Sequence, residues 1–359
     1  MKHACVYLLL TPDCNLRCRY CFQADTYRRR TARRAPRAGR RPARIGAEVV
    51  DAFVEYCVRA GAERVEFFGG EPLLCADMFE RAVRGLRRAA PATALGIVTN
   101  GTLIDERVMG LLEAEPVSVL LSLDGPRERH DAMRGGFDRI AGWFPRLARL
   151  GRVSVALQAG AIPGLYDAVR YAWDQGFRSG VYINVIQSYG WYTPEDVRLF
   201  EGEYEKCLAG MLRGEGRLLC AQHLHEMLEA PASPQECGIT GVGLACDWQG
   251  ALYPCQRAPE LGPRFAIGDL RTGLDQPRSE RLRARIRRQA YGSESAGRYP
   301  LVSYCPVDTY QRHGRFGGAW AREFCEMIEL KAKLVAKHHY ELVEHFRGAG
   351  QGPAARAEP

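Results

Sequence analysis

The sequence predicts an α/β protein, a partial barrel of six strand–helix units followed by a smaller cysteine-rich module, and three features of its 359 residues predict it. Apolar, β-branched runs alternate with helix-length amphipathic stretches through most of the chain, the pattern of βα units around a parallel sheet. Polar and glycine-rich residues follow the strands, so those loops are expected to converge at the carboxyl ends, where such folds bind ligands. From about Ala230 the pattern changes to short strands, prolines, glycines and five further cysteines. The expected division is 1–229 for the barrel, 230–330 for the module and 331–359 for a closing helix and a disordered tail.

In chain order the expected strands are CVYLLL (Cys5 to Leu10), RVEFF (Arg64 to Phe68), ALGIV (Ala94 to Val98), VSVLLSL (Val117 to Leu123), VSVALQ (Val153 to Gln158) and VYINVI (Val181 to Ile186). Helical stretches fall between them near 47–59, 78–89, 105–113, 137–150, 165–175 and 194–213. Six units are too few for a closed eight-unit ring, so the fold class is a partial (β/α)6 TIM-like barrel. In the second module, Asp247 to Tyr253 is expected to form a hairpin with Gly250 at its turn, returning the flanking cysteines to one side. No helix of comparable length is expected there before Phe324 to Phe346.

Bulk properties narrow the function. No apolar run reaches the roughly 18 residues of a membrane span, and MKHACVYLLL is too short for a signal peptide with its cleavage site, so a cytoplasmic location is expected. Thirteen cysteines in such a chain read as metal ligands or buried thiols rather than disulfides. The net charge of +8 is local: Tyr27 to Arg44 holds nine arginines and no acid, and without them the sign reverses. The segment from Arg28 to Arg44 is either a solvated loop or a site for an anionic partner.

The sharpest signal is TPDCNLRCRYCF, with Cys14, Cys18 and Cys21 spaced Cys-x3-Cys-x2-Cys after the first strand. Structural zinc takes four ligands, and a disulfide has no use for three thiols in one loop. A four-iron cube held by three thiolates has one iron open to an exogenous ligand. The stretch CNLRCRYC resembles the cluster loop of the radical S-adenosylmethionine (SAM) superfamily. The resemblance implies that Cys14, Cys18 and Cys21 hold a [4Fe-4S] cluster whose open iron binds SAM. Reductive cleavage of SAM there would give a 5′-deoxyadenosyl radical, with Tyr20 on the adenine side. FFGGEP resembles the family's glycine-glycine-glutamate motif, implying that Gly69 and Gly70 allow close backbone approach and that Glu71 accepts from the SAM ammonium. LSLDGPRERHDAMR resembles the stretch in peptide-modifying members where Ser122 would contact the ribose and Arg134 the SAM carboxylate. Asn100 in TNGT is either a cofactor contact or a structural residue.

CGITGVGLACDWQGALYPC matches the opening of the SPASM or twitch module, which carries auxiliary iron-sulfur clusters in radical SAM enzymes. The resemblance implies Cys237, Cys246, Cys255, Cys305 and Cys325 as ligands, with Asp308 standing where a second cysteine of the full pattern would be. Gly314 and Gly318 occupy two further cysteine positions, so one auxiliary cluster, two with mixed ligands, or none all remain open, and Cys246 can equally be a buried thiol. Cys5, Cys57, Cys75, Cys207 and Cys220 lack metal spacing and read as core residues, and His223 and His225 as non-ligands.

What the resemblance implies about substrate is hydrogen abstraction from a residue of a ribosomally made peptide, ending in a crosslink, a dehydrogenation or an epimerisation. A flavodoxin or ferredoxin would supply the electron, and since only 13 residues precede Cys14 the leader is expected to bind elsewhere, through a separate leader-recognition protein or the arginine loop. Oxidation of a sugar or other small metabolite is the alternative. Sulfatase-type maturation is disfavoured because Gln256, after Cys255, stands where that branch has an aspartate base, and an amide accepts no proton at neutral pH. A non-enzymatic iron-sulfur protein that binds nucleic acid through the arginines would need no SAM pocket, and nucleic acid is not expected as a partner.

Overall fold

The computed structural model describes residues 5–349 apart from 24–42, 152, 160–161, 188–191, 220–236, 242, 293, 300–301 and 303. Nearly all of the arginine run, together with Cys220, His223, His225 and the tail from 350, lies outside the described residues.

Six parallel strands form the barrel: β1 (Val6–Leu9), β2 (Arg64–Phe68), β3 (Ala94–Thr99), β4 (Val117–Ser122), β5 (Val153–Ala159) and β6 (Val181–Val185). The helices that follow are α1 (Ala47–Ala60), α2 (Ala76–Ala89), α3 (Glu106–Ala114), α4 (Arg127–Met133), α5 (Phe137–Ala141), α6 (Phe144–Arg149), α7 (Leu165–Asp174) and α8 (Pro194–Leu212). The expected single helix over 137–150 is two helices. Gly142 ends α5, and Pro145, which has no N–H to donate, sits in the first turn of α6, where that donor would have no intrahelical partner.

Local chemistry sets the element ends. Asp105 caps α3 by accepting from Val108 N at 2.8 Å, and Thr193 with Asp196 forms a complete capping box on α8. Gly61 closes α1 at φ 59°, a left-handed conformation that glycine adopts without strain. Phe53, Phe67, Phe79, Leu86 and Leu95 meet between the sheet and α1 and α2, and none is more than 1% exposed. The apolar side chains on these faces make one continuous core.

The second module extends the same sheet. β7 (Leu244–Cys246) pairs in parallel with β1, and β8 (Ala251–Tyr253), β9 (Gly268–Asp269) and β10 (Gly273–Leu274) follow antiparallel, giving the order β10-β9-β8-β7-β1-β2-β3-β4-β5-β6. The β7–β8 hairpin is the expected one, with Gly250 at φ 87°. Beyond it lie α9 (Gln276–Ala290), α10 (Glu294–Arg298), α11 (Pro306–His313), α12 (Arg322–Lys337) and α13 (His339–Ala349). The 15-residue α9 corrects the expectation that the module lacks a long helix before Phe324. Of its apolar residues only Ile286 and Ala290 are fully buried, too sparse a stripe to stand out among its arginines. A second core of Ile239, Tyr253, Phe265, Ile286, Val307 and Phe316 holds this module together. Among the described residues no helix is long and apolar enough to cross a membrane.

Candidate active site

The loop after β1 is pinned from two sides. Gly70 N donates to Thr11 O and Glu71 N to Asp13 O, both at 2.8 Å, so the segment after β2 runs directly against the residues leading into Cys14. A Cβ on Gly69 would lie 2.4 Å from Thr11 O and one on Gly70 2.1 Å from Asp13 O, and Gly69 also sits at φ 145°. The close approach that these glycines permit is therefore to the chain's own backbone. Gly70→Ala is expected to lower stability by about 1–3 kcal/mol and to reduce iron bound after reconstitution. Thermal unfolding and an iron count check it, and an unchanged iron count would show that the loop tolerates the displacement.

Cys14, Cys18 and Cys21 are all half-buried on this loop. Leu16 N donates to Cys14 Sγ at 3.4 Å, Cys21 N to Cys18 O at 3.2 Å and Arg19 N to Met133 O at 3.0 Å. Burial pushes all three thiols up; Cys18 raises Cys14, Cys21 raises Cys18 and Cys14 raises Cys21, while Arg134 works against the rise at Cys18 and Cys21. Three thiols that disfavour one another's ionisation, beside a buried cation, are a donor set whose thiolates a positively charged metal group would stabilise. Among the described residues no three His, Cys, Asp or Glu side chains close to the spacing of a single ion. A cube distributes its thiolates over separate irons, so it needs them farther apart than one ion does.

The neighbouring strand ends supply polar groups. The Glu71 carboxylate, 1% exposed, accepts from Leu73 N at 3.0 Å, Thr99 Oγ1 at 2.7 Å and Asn100 N at 2.8 Å, tying the end of β2 to the end of β3. Burial raises this carboxyl above its ordinary value against those three donors. The Asn100 amide donates to Asn15 Oδ1 at 3.0 Å and reaches Cys14 Sγ at 3.8 Å, while its oxygen accepts from Thr102. Asn100 is thus a brace for the cysteine loop. Ser122 ends β4 half-buried, and beyond it Arg134 Nε lies 3.3 Å from Asp124 Oδ2, with its guanidinium 5.5 Å from the Tyr20 ring centroid. Tyr20 donates its hydroxyl to the same carboxylate at 2.5 Å. Burial alone would push Arg134 down, but Asp124, Tyr20 and Cys18 hold it above its ordinary value. Sequence reasoning missed Asp124, although its place in LSLDG at a strand end was a usable signal.

His130 backs this cluster, fully buried, with its Nδ1 accepting from Asp124 N at 3.3 Å. Burial and then Arg134 hold its imidazole below the ordinary value, against Asp124 and Asp131. The unfolded chain therefore takes up this proton first as pH falls, and folding stability declines below about pH 6.5. His130→Asn is expected to flatten that decline. Denaturant unfolding at several pH values measures the slope, and an unchanged slope would assign the acid sensitivity to other groups.

Opposite the first loop, Cys237, Cys255 and Cys305 converge around the second core. Burial raises Cys255, then Cys305 and Cys237 add to it, and Cys305 likewise raises Cys237. Arg257 Nη1 donates to Cys305 Sγ at 3.3 Å, and the guanidinium stacks 4.3 Å from the ring centroid of Phe22, next to Cys21. Its Nε and Nη2 are buried and make no hydrogen bond among the described residues. Burial opposes its charge, yet Cys305, Glu260 and Asp308 hold it above its ordinary value. Buried donors without acceptors beside three thiols fit an anionic, sulfide-bearing group. Asp308, 4% exposed, lies 3.7 Å from Arg257 and 3.1 Å from Arg312. Gln187, just past β6, accepts from Cys305 N at 2.9 Å and joins this group to the barrel. Neither Arg257 nor Gln187 was anticipated, because no spacing rule links them to the cysteines.

Two expected ligands stand apart. Cys246 pairs with Leu8 in the sheet register and is fully buried in the main core, with Cys57 and Asp247 as its electrostatic neighbours. Cys325 is fully buried on α12, where its charged neighbours are Glu329 and Glu326. The hairpin thus sends Cys246 and Cys255 into different cores and does not return them to one side.

Residues 8–170 match the family model described as the Radical SAM superfamily. A probable GTP 3′,8-cyclase of Methanocella arvoryzae is 30% identical over 44% of this chain and 48% of its own length. The chain spans about half the length of the curated GTP 3′,8-cyclases it matches. Among solved structures, native anSMEcpe with bound AdoMet and the Cp18Cys peptide superposes with a TM-score of 0.71 at 17% identity, covering 95% of this chain and 99% of that one. Streptococcus suis SuiB bound to precursor peptide SuiA gives a TM-score of 0.56 at 14% identity, over 79% of this chain and 67% of that one. These likenesses fix the fold, and the family uses a [4Fe-4S] cluster together with SAM. The chain therefore carries, over residues 8–170, a domain that matches the radical SAM superfamily.

Proposed function

We propose that the chain is a peptide-modifying radical SAM enzyme that abstracts a hydrogen atom from a residue of a ribosomally synthesised peptide. The observation that carries the reading is the pairing of two thiol groups, Cys14, Cys18 and Cys21 with Cys237, Cys255 and Cys305, across the junction that Phe22 and Arg257 bridge. When bound, a [4Fe-4S] cluster and SAM on the first group supply a carbon-centred radical by one-electron reduction.

The chain's own residues bind, orient and insulate. Cys14, Cys18 and Cys21 hold the first cluster, Gly69 and Gly70 lock its loop to β2, and Asn100 braces Cys14. Arg134, charged and backed by Asp124, offers its guanidinium to the SAM carboxylate, while Tyr20 and Ser122 flank the nucleoside. Cys237, Cys255 and Cys305 hold one auxiliary cluster, with Asp308 the remaining ligand candidate beside them. Gln256 follows Cys255 and offers no base, so the substrate proton leaves by another route than sulfatase-type chemistry. Support for a peptide substrate comes from the likeness to two chains whose structures hold peptides, nearly full-length for one and over 79% of this chain and 67% of the other for the second.

The small-metabolite reading draws on the identity with GTP 3′,8-cyclases, which is confined to about half the chain. Anaerobic reconstitution, an iron count and mass spectrometry of short precursor peptides offered as substrates separate the two. About eight irons per chain, deoxyadenosine, and a peptide changed in mass by hydrogen loss or unchanged but epimerised support the proposal. Deoxyadenosine with no peptide product, but with turnover of a nucleotide or sugar, overturns it.

A further inference from the structure

A cavity of about 450 Å³ opens on the outer side of the second module. Arg278, Arg281 and Arg285 line it from one face of α9, at the i, i+3 and i+7 spacing that aligns side chains, and Arg264 closes it from the preceding turn. Phe265 and Tyr310 line it beside them, packed edge to face with ring centroids 5.1 Å apart. The Arg264 guanidinium lies 4.9 Å from the Phe265 centroid and donates to the Tyr310 hydroxyl at 3.1 Å. All four arginines are exposed.

Four arginines gathered at one cavity set this surface apart from the paired arginines of the barrel. On the barrel, the exposed Arg81, Arg107 and Arg127 each pair with an aspartate. Among the described residues no ion pair engages the four pocket arginines. Arg278 donates instead to Arg264 O, and Arg285 lies over Phe316. Within α9 six arginines stand against the single acid Glu280, and two of the six, Arg283 and Arg287, are committed to carbonyls of the 238–243 segment. Like charges at this spacing repel one another, and a polyanion seated in the cavity removes that repulsion. Planar guanidinium forks match carboxylates in pairs. Tyr310 belongs to α11, which begins beside Cys305 and carries Asp308, so the pocket and the thiol group lie on the same short helix.

We propose that this pocket docks an acidic segment of the substrate peptide and holds it while another segment reaches the radical site; the proposal rests on the peptide reading above. The test uses the reconstituted full chain and a fluorescein-labelled peptide of about ten glutamates, followed by anisotropy at low and physiological salt. The wild-type chain is expected to bind, more weakly as salt rises, and R281E/R285E to lose at least about tenfold in affinity. R88E/R139E, with the same change in net charge elsewhere on the surface, is expected to bind as wild type does. Equal binding by the pocket variant overturns the proposal, as does a labelled single-stranded oligonucleotide that binds through the same arginines more tightly than the peptide. Deoxyadenosine formation by R281E/R285E is expected to match the wild type. A failure of docking and a failure of the peptide chemistry therefore read out separately.

Discussion

Cys18→Ala is expected to reduce deoxyadenosine formation to background, a loss of several orders of magnitude. A cube with only three protein thiolates has no ligand to spare, because its fourth iron must stay open for SAM. Among the described residues no nearby cysteine replaces the lost thiol: Cys75 is buried and points its Sγ at Leu10 O, 3.7 Å away, and Cys57 is buried in the main core. Cys18 also stands at the centre of the electrostatics, being the thiol whose rise Arg134 opposes most directly. The measurement is iron content, visible absorbance and deoxyadenosine in the same preparation, with Cys57→Ala as a folded control that loses none of them. SAM cleavage retained by the Cys18 variant would remove the loop from its proposed role.

What was legible in the sequence follows from local chemistry. The Cys-x3-Cys-x2-Cys loop and the Gly-Gly-Glu turn are each short local patterns that follow their own strand run within a few residues, so spacing alone places them at strand ends. The job of the glycines was less legible, since only the folded backbone shows that Thr11 and Asp13 are what they approach. Cys246 and Cys255 were grouped by spacing, yet alternation along the hairpin gives one to each core. Helix α9 escaped notice because its surface of arginines masks a narrow apolar stripe. Asp124, Gln187 and Arg257 act through partners distant in sequence, such as Tyr20 at a separation of 104 and Cys305 at separations of 118 and 48. Pairings of that kind leave no periodicity to read.

Cys305→Ala is expected to divide the two halves of the chemistry. Loss of one of three converging thiols should remove about four irons per chain while the first loop keeps its own. SAM cleavage without substrate then continues, and formation of the peptide product falls at least about a hundredfold. Arg257 sharpens the test. Its guanidinium touches Cys305 Sγ at 3.3 Å and presents two further buried donors, so it stabilises the more negative, reduced state of whatever cluster sits there. Arg257→Met keeps the thiols and much of the volume but should shift the second cluster to a more negative potential in an EPR-monitored redox titration, with the first cluster unmoved. It also leaves the buried Asp308 carboxylate to Arg312 and the Gln187 amide, and loss of a buried ionic partner is worth about 3–5 kcal/mol at the upper end, so unfolding is measured alongside. A Cys305 variant with unchanged iron and unchanged product would mean that the second thiol group is scaffold. An Arg257 variant with full iron and an unshifted potential would mean that the guanidinium serves Asp308 and Phe22 and not the cluster.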